Sequence, residues 1–459
     1  MSPLRWPRCL VVLLGVAVLA SEAGAGPAWT ERSRGTWRGA QWREVTFTSQ
    51  VWQGAAWQHQ LFIVVPPRLP GGAPPGRPAL LLVAGGEWRP RYASPPRKPR
   101  TPEGIALYAA LARRLEAPVA VLLQVPNQPL FGGMTEDDLM AFSFERYLDT
   151  RDPSWPLLLP MVESARRAMD VVTDVAADQW RLPVQQFLVT GGSKRGWTAW
   201  LAAAADPRIV ALAPVVIDLV NVRRQLAHQQ WTWGGPPPEM RPYIQRDLPR
   251  RLASPEGEPL LRLIDPWYQR ERITQPKLIV LATNDGYWPA DSLGLYVDGL
   301  VGPRSSLYLP NEGHTPRNLP RLLDGLAALQ RSVVTGRALP ELTAEYAMNG
   351  SRAELRVRVG AGEAPRRARA WFAPVNSRDL RAGRWTARAM RRLPDGSYLL
   401  RIPVANGGYL GLFGEVDFGA GRERYSLATG LRLLGEGGVV PLAPEPGSGP
   451  VAGDVAARR

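Results

Sequence analysis

The stretch Phe187-Leu-Val-Thr-Gly-Gly-Ser193-Lys-Arg-Gly-Trp197 decides the fold. An apolar run ends in two glycines, Ser193 follows at once, and an alanine-rich run from Trp197 to Ala205 is typical of a helix. Strand, glycine turn, serine and helix in this order are typical of a nucleophile elbow, a strained turn that exposes the serine hydroxyl. The usual pattern is Gly-x-Ser-x-Gly, but this chain has Arg195 at the last position and its glycine at Gly196. The alternative is an ordinary turn in which Ser193 caps the helix.

Two residues downstream fit the same chemistry. Asp285 follows the apolar run that begins at Lys277, and His314 follows the one that begins at Leu307. A serine nucleophile needs a histidine to take its proton and a carboxylate to orient that histidine. Ser193, Asp285 and His314 stand in the chain order of α/β-hydrolases, each just past a predicted strand. The sequence therefore predicts a nucleophile, an orienting acid and a general base in that order, although each Asp or His taken singly is compatible with a turn.

Two backbone regions are candidates for the oxyanion hole of such a site. The first is the amide of Lys194, which directly follows the predicted nucleophile. The second is the exit of the apolar strand 79–84 at Gly85 and Gly86, since the loop in this position donates an amide in hydrolases. The alternative for the second region is a glycine-rich strand exit without a catalytic role.

The chain divides by pattern into several parts. Apolar strands alternate with helices over residues 26–335, which predicts an α/β-hydrolase domain with a mostly parallel sheet flanked by helices. Residues 223–272 break this alternation with tryptophans and prolines, and we interpret them as a cap in which His228 is a surface residue. Residues 340–435 show short strands separated by turns, which predicts a small antiparallel β-sandwich domain. The Gly/Pro/Ala-rich residues 436–459 predict a disordered tail.

The segment 127–152 mixes aromatic residues, acids and glycines. It is either a loop that lines a substrate cleft or an amphipathic helix, residues 136–148, whose aromatic side chains lie in the core. The pattern favours the helix.

The N-terminus has the pattern of a secretory signal peptide. Basic residues precede a short apolar run from Cys9 to Ala20, and small residues follow. We expect residues 1–25 to be removed near Ala23 or Ala25, and the mature chain to be periplasmic or secreted without a transmembrane anchor. Because Cys9 is the only cysteine, the mature chain would have no disulfide, thiol nucleophile or cysteine-bound metal.

The chain carries a formal net charge of +15 at pH 7, and most of its basic residues are arginine. This indicates either surface arginines encoded by a GC-rich genome or an affinity for anionic surfaces or substrates. The sequence shows no nucleic-acid motif, phosphate-binding loop or cluster of metal ligands. We therefore expect no nucleic-acid partner, no cofactor and no metal.

The elbow and several segments around it resemble the PhoPQ-activated pathogenicity-related proteins. The matching segments are Val189-Thr-Gly-Gly-Ser-Lys-Arg-Gly-Trp197, Asp206-Pro-Arg, Ala213-Pro-Val-Val-Ile-Asp218, Pro289-x-Asp291-Ser and Pro310-Asn-x-Gly-His314. The resemblance runs from about Glu44 to about Leu434 and implies an exported α/β-hydrolase-like protein without an assigned substrate. That family usually has Gly-Asp-Glu around the acid, whereas this chain has Asn284-Asp285-Gly286. The difference makes Asp291 a reserve candidate for the acid.

The elbow is also similar to that of glucuronoyl esterases, which place a basic residue after the serine and lack the same glycine. There the basic side chain is thought to help hold the oxyanion, which implies Lys194 or Arg195 as an oxyanion or substrate-binding group here. The alternative is that both are surface cations at a helix start, where the helix dipole disfavours them.

Together these patterns predict an exported serine hydrolase of the esterase or amidase type. Its substrate would be a small molecule or an envelope component, and an anionic or carboxylate-bearing substrate would suit its cations. The alternative function is a catalytically degenerate hydrolase fold that serves as a binding or signalling protein of the envelope or the extracellular space. A probe that reacts with activated serines separates the two.

Overall fold

The computed structural model describes residues 28–69, 77–96 and 101–444. The predicted signal peptide, residues 1–25, lies outside the described residues. The α-helices of the described residues are α1 (Ile105–Leu115), α2 (Glu136–Thr150), α3 (Leu158–Trp180), α4 (Lys194–Ala205), α5 (Val222–Trp233), α6 (Arg241–Ile244), α7 (Leu248–Ala253), α8 (Glu258–Ile264) and α9 (Leu319–Thr335). None of the helices in these ranges is long and apolar enough to cross a membrane.

The strands fall into two groups along the chain. The first group is β1 (Trp29–Trp37), β2 (Ala40–Trp52), β3 (Ala55–Val65), β4 (Ala79–Val83), β5 (Val119–Leu122), β6 (Phe187–Gly192), β7 (Ile209–Val215), β8 (Lys277–Ala282) and β9 (Arg304–Leu309). The second group is β10 (Leu342–Asn349), β11 (Arg352–Val359), β12 (Arg367–Val375), β13 (Thr386–Ala389), β14 (Arg391–Arg392), β15 (Tyr398–Pro403), β16 (Tyr409–Phe418), β17 (Tyr425–Ala428), β18 (Arg432–Gly435) and β19 (Gly438–Val439).

The first group forms one mixed sheet in the order β1-β2-β3-β5-β4-β6-β7-β8-β9. Neighbouring strands from β5 to β9 are parallel, and the strands before them in the order are antiparallel. Successive side chains point to opposite faces, so Leu81 packs with α3 and α4 while Leu80 packs with α1 and α9. Helices cover both faces, which explains why these strands read as continuous apolar runs. The predicted α/β-hydrolase fold is confirmed.

The inserted residues between β7 and β8 form the helices α5 to α8. They include the segment 223–272 interpreted as a cap. The segment 127–152 contains α2, in which Phe144 and Tyr147 are buried. The helix that the pattern favours is therefore present, and it also reaches the site described below.

The second group of strands forms two antiparallel layers. β10, β11, β15 and β14 make a separate sheet, whereas β17, β16, β12 and β13 continue the main sheet beyond β9. The junction is the pairing of Ala428 in β17 with Ser306 in β9, where the Ser306 hydroxyl also donates to the Ala428 carbonyl at 2.7 Å. The sheet therefore crosses the predicted domain boundary near residue 340. The pairing covers β9, which would otherwise be an edge strand with unpaired backbone groups.

The first part of the predicted disordered tail departs from that prediction. Gly438 and Val439 pair with β18 as strand β19, and Val440 and Leu442 pack against the core. Ala443 is buried, and its amide donates to Nδ1 of His228 at 3.3 Å. Composition suggested disorder, but apolar side chains between the glycines and prolines bury against the cap. Residues 445–459 lie outside the described residues.

Candidate active site

Ser193 lies at the sharp turn between β6 and α4. Its backbone has φ 55° and ψ −129°, a conformation that non-glycine residues rarely adopt. Such a conformation costs on the order of 1–3 kcal/mol and is concentrated at functional sites. The Ser193 amide donates to the Val215 carbonyl at 2.8 Å, which fixes the turn against β7. The geometry is that of the nucleophile elbow that the glycine pattern predicts.

The unusual position of the elbow glycine has a steric explanation. A Cβ atom at Gly196 would lie 2.6 Å from Cγ2 of Ile217 and 2.8 Å from the Gly191 carbonyl oxygen. A Cβ atom at Gly191 would in turn lie 2.7 Å from the backbone of Arg195. The close approach of α4 to the sheet thus requires glycine at 191 and 196, and position 195 is free to carry a side chain.

The structure brings Ser193, His314 and Asp285 into one hydrogen-bonded chain. Ser193 Oγ lies 2.8 Å from Nε2 of His314, and Nδ1 of His314 lies 2.9 Å and 3.0 Å from the two carboxylate oxygens of Asp285. The three residues follow β6, β9 and β8, so they meet at the carboxyl edge of the parallel strands. In this arrangement Nδ1 donates to Asp285, and Nε2 is left to accept the hydroxyl proton.

Tyr287 holds this chain in place from the turn after β8. Its amide donates to Asp285 Oδ1 at 2.8 Å, and its ring lies 4.2 Å from the ring of His314, centroid to centroid. The Asp285 carboxylate is buried, whereas the His314 side chain is 22% exposed. The acid is therefore shielded from water, and the base remains open to a substrate.

The reserve acid Asp291 belongs to a second His–Asp pair. Its Oδ1 lies 2.7 Å from Nε2 of His228, and the other ring nitrogen of His228 accepts from the Ala443 amide. Interpreting His228 as a surface residue was wrong, because it is 1% exposed beneath the C-terminal segment. Burial acts to raise the pKa of Asp291, but His228 and Arg432 outweigh it and lower that pKa. The structure thus assigns Asp285, not Asp291, to His314.

A third carboxyl group, Asp218, lies near both pairs at the end of β7. Burial raises its pKa to about 8, and the charges of Asp285 and Asp291 act in the same direction, while a hydrogen bond from Tyr296 opposes them. Asp218 is therefore protonated at neutral pH. Its sequence signal, an aspartate directly after an apolar strand, is the same as that of Asp285, and only the fold distinguishes the two.

Lys194 and Arg195 are not surface cations. The Lys194 ammonium lies 2.8 Å from Glu136 and 3.0 Å from Asp137, and the Arg195 guanidinium binds both carboxylate oxygens of Glu136 at 2.6 Å and 2.8 Å. Burial acts to raise the pKa of Glu136, but Arg195 and Lys194 outweigh it and hold that pKa at about 2. Two acids at the start of α2 therefore balance both cations. Sequence reasoning noted these acids but did not connect them to the elbow.

The two candidate regions for the oxyanion hole differ in what surrounds them. Lys194 is the first residue of α4, and the first amides of a helix have no carbonyl partner within it. Gly85 lies against the Arg195 guanidinium, which leaves no room for a Cβ atom, and Gly86 has φ 117°. The Arg195 Nε also donates to the Val125 carbonyl at 2.6 Å. The glycine at 85 thus has a packing reason, and its role in an oxyanion hole stays a prediction.

A pocket that is open to solvent adjoins Ser193 and His314. Its walls come from α2, α4, the strand exits and the cap helices α5 and α7. Asp137 and Lys194 are the acidic and basic residues of the wall, and most other lining side chains are apolar. Asp137 also accepts from the hydroxyls of Tyr243 at 3.2 Å and Tyr287 at 3.0 Å. Burial and Asp137 raise the pKa of both phenols, so both remain donors.

The chain is similar to several known proteins. The family model described as PhoPQ-activated pathogenicity-related protein matches residues 20–381. The chain is similar to autocrine proliferation repressor protein A of Dictyostelium discoideum, with 25% identity over 348 residues that cover 70% of each protein. It is also similar in structure to an acetyl xylan esterase from Paenibacillus sp. R4, with a TM-score of 0.46, 17% identity, and coverage of 69% of this chain and 90% of the esterase. A glucuronoyl esterase from Solibacter usitatus gives a TM-score of 0.37 and 13% identity, with coverage of 68% of this chain and 88% of that esterase.

The family match includes the elbow, both His–Asp pairs and the cap. It confirms the resemblance that the motifs around Ser193 indicate. Because it covers most of the sequence, the chain belongs to the family of PhoPQ-activated pathogenicity-related proteins.

Proposed function

We propose that this protein is a serine hydrolase that cleaves ester or amide bonds through Ser193, His314 and Asp285. The observation that carries the proposal is the 2.8 Å contact between Ser193 Oγ and His314 Nε2, on a serine whose backbone has φ 55°. A serine that only capped α4 would need neither the histidine nor the strained backbone.

The geometry supports a two-step reaction. Ser193 Oγ attacks the carbonyl carbon of the substrate while Nε2 of His314 accepts the hydroxyl proton, and Asp285 stabilises the imidazolium that forms. The Lys194 amide, at the start of α4, donates to the oxyanion. His314 then returns the proton to the leaving alcohol or amine. Water attacks the acyl-enzyme in the same way, releases the acid and restores Ser193.

The charges of Lys194 and Arg195 do not add a carboxylate-binding function to this proposal. Each cation is paired with Glu136, and Lys194 also with Asp137. A carboxylate-bearing substrate would have to displace one of these acids. The pairing supports a role for both cations in fixing α2 against the elbow, with substrate affinity left to other groups.

Labelling with a fluorophosphonate probe tests the activated serine. We expect the purified protein to be labelled, and S193A and H314A to lose at least 99% of the labelling rate because both remove the attacking pair. S154A changes an exposed serine and serves as the matched control, with wild-type labelling expected. Unchanged labelling of S193A would refute the assignment. An unlabelled wild type that is folded would favour the alternative, a binding or signalling protein with a degenerate site.

We also propose that the protein is exported, with residues 1–25 acting as a cleaved signal peptide. The support is the pattern of basic residues, apolar run and small residues at the N-terminus. Fractionation of the native host followed by N-terminal sequencing tests this. A mature N-terminus near residue 24 or 26 in the periplasm or medium is expected, and an intact Met1 in the cytoplasm would exclude export.

A further inference from the structure

We propose that the pocket beside Ser193 binds an uncharged apolar chain of the substrate, so that the preferred substrates are esters of medium-length aliphatic groups. This inference rests on the proposed function and specifies its substrate class. It differs from the carboxylate-bearing substrate that the sequence suggested, and the reason lies in how the pocket is lined.

The wall of the pocket is apolar in both parts of the chain that contribute to it. Trp197 of α4, Phe144 of α2 and Ile217 after β7 line it from the hydrolase domain. Leu226, Leu248 and Leu252 line it from the cap helices. Apolar chains gain free energy in such a site in proportion to the area that leaves water.

The acidic and basic groups of the wall are already satisfied. Lys194 binds Glu136 and Asp137, and Asp137 also accepts from Tyr243 and Tyr287. A charged substrate group would lose its hydration here without gaining a free partner of opposite charge. An uncharged apolar chain loses little favourable hydration on entering the pocket, and the lining therefore selects for such a chain.

The cap helices supply part of the apolar wall, so the selectivity for apolar chains depends on this insertion. Leu226 lies on α5 and is only partly buried, so its side chain has room to change. A larger side chain at position 226 would reduce the space for the apolar chain of the substrate, but it would not come between Ser193 and His314. Ile244 on α6 is 41% exposed and does not line the pocket, so it provides a matched position on the same cap.

The test compares rates across chain length on both sides of the ester bond. The substrates are p-nitrophenyl acetate, butanoate and hexanoate, and the acetates of methanol, butanol and hexanol. Burial of one methylene raises kcat/KM about fourfold, so we expect kcat/KM to rise about fifteenfold for two added methylenes in at least one series. In the series that shows this rise, L226W should reduce the ratio of kcat/KM for the longest chain to kcat/KM for the shortest at least fivefold, whereas I244W should leave that ratio unchanged.

A matched charged substrate makes the test decisive. p-Nitrophenyl hemisuccinate places a carboxylate where the butanoate has its methyl group, and we expect it to be hydrolysed at least tenfold more slowly than the butanoate. Equal or faster hydrolysis of the hemisuccinate, or flat profiles in both series, would overturn the inference while leaving the hydrolase proposal intact.

Binding to S193A separates failure of the pocket from failure of the chemistry. Trp197 and Trp288 line the pocket, so their fluorescence reports on its occupation. If no ester is turned over and the fluorophosphonate probe does not react, the proposed function fails. The pocket is then judged by titration of S193A with 1-hexanol. Saturable quenching that L226F weakens would support it, since phenylalanine narrows the pocket without adding a tryptophan to the signal, and the absence of saturable binding would refute it.

Discussion

The described part of the molecule contains two buried or half-buried His–Asp pairs, and they differ in what faces the second ring nitrogen. His314 contacts Asp285 through Nδ1 at 2.9 Å and presents Nε2 to the Ser193 hydroxyl. His228 contacts Asp291 through Nε2 at 2.7 Å and accepts the Ala443 amide with Nδ1. The distances are nearly equal, so proximity of imidazole and carboxylate does not identify a catalytic pair.

The surroundings of the two pairs identify the catalytic one. The His314 pair opens onto a pocket and meets a serine in a strained backbone conformation, whereas the His228 pair is covered by the C-terminal segment. Asp291 and the Ala443 amide engage the two ring nitrogens of His228, which leaves neither nitrogen for a substrate proton. We infer that the first pair serves catalysis and the second stabilises the contact between the cap, the turn after β8 and the C-terminal segment.

The largest expected difference between the pairs is in activity. D285N removes the carboxylate that fixes the tautomer of His314, and we expect kcat on the best ester to fall about 10⁴-fold. D291N should change kcat by less than about threefold, because His228 does not reach Ser193. The measurement is kcat at saturating ester, with circular dichroism as the control for folding. If kcat fell as far in D291N as in D285N, the comparison would fail and Asp291 would be a catalytic acid.

The second difference is in stability and has the opposite sense. H228A leaves the buried Asp291 carboxylate without its partner, and we expect it to lower the free energy of unfolding by about 3 kcal/mol. H314A removes a partly exposed side chain, so water can reach the Asp285 carboxylate, which also keeps the Tyr287 amide as a donor, and we expect a loss below about 1 kcal/mol. Urea unfolding of both variants measures the two values. The reverse order of stabilities would show that the His314 pair is the structural one.

The sequence predicted the parts of the site that depend on local order along the chain. Strand, glycine turn and serine are local signals, and the chain order of Ser193, Asp285 and His314 places them at one sheet edge. It could not decide between Asp285 and Asp291, which stand six positions apart after the same strand. That choice depends on the turn after β8, whose hydrogen bond from Tyr287 aims Asp285 at His314.

The sequence was least informative where partners come from distant segments. Glu136 and Asp137 precede Lys194 by more than 50 residues, and only the packing of α2 against the elbow shows that they neutralise Lys194 and Arg195. The extension of the main sheet beyond β9 likewise depends on one pairing across more than 100 residues. Periodicity shows that strands exist, but it carries no information on which strand edge they join.

Asp218 provides a finer test of the carboxyl groups near the two pairs. The folded protein keeps Asp218 protonated up to a pKa of about 8, whereas the unfolded chain ionises it near the ordinary value of about 4. The wild type therefore loses stability as pH rises between these values. D218N lacks this titration, so its stability relative to wild type should increase by up to about 1.4 kcal/mol from pH 6 to pH 7.

D379N is the matched control for that titration. Burial acts to raise the pKa of Asp379, but Arg381 outweighs it and lowers that pKa in the folded protein, so its carboxylate is ionised in both states over this range. The difference in stability between D379N and wild type should stay constant from pH 6 to pH 7. A constant difference for D218N as well would mean that Asp218 is already ionised beside Asp285.

The smallest expected effect concerns the segment that covers His228. A truncation after Leu442 removes the Ala443 amide and its buried methyl group, and we expect a loss of about 1 kcal/mol in the free energy of unfolding. A truncation after residue 444 keeps both groups, so the difference between the two variants isolates residues 443–444. Neither should change fluorophosphonate labelling, because the segment contacts His228 and not His314. If the shorter variant lost labelling while remaining folded, the second pair would contribute to the conformation of the active site, and the separation of roles between the two pairs would not hold.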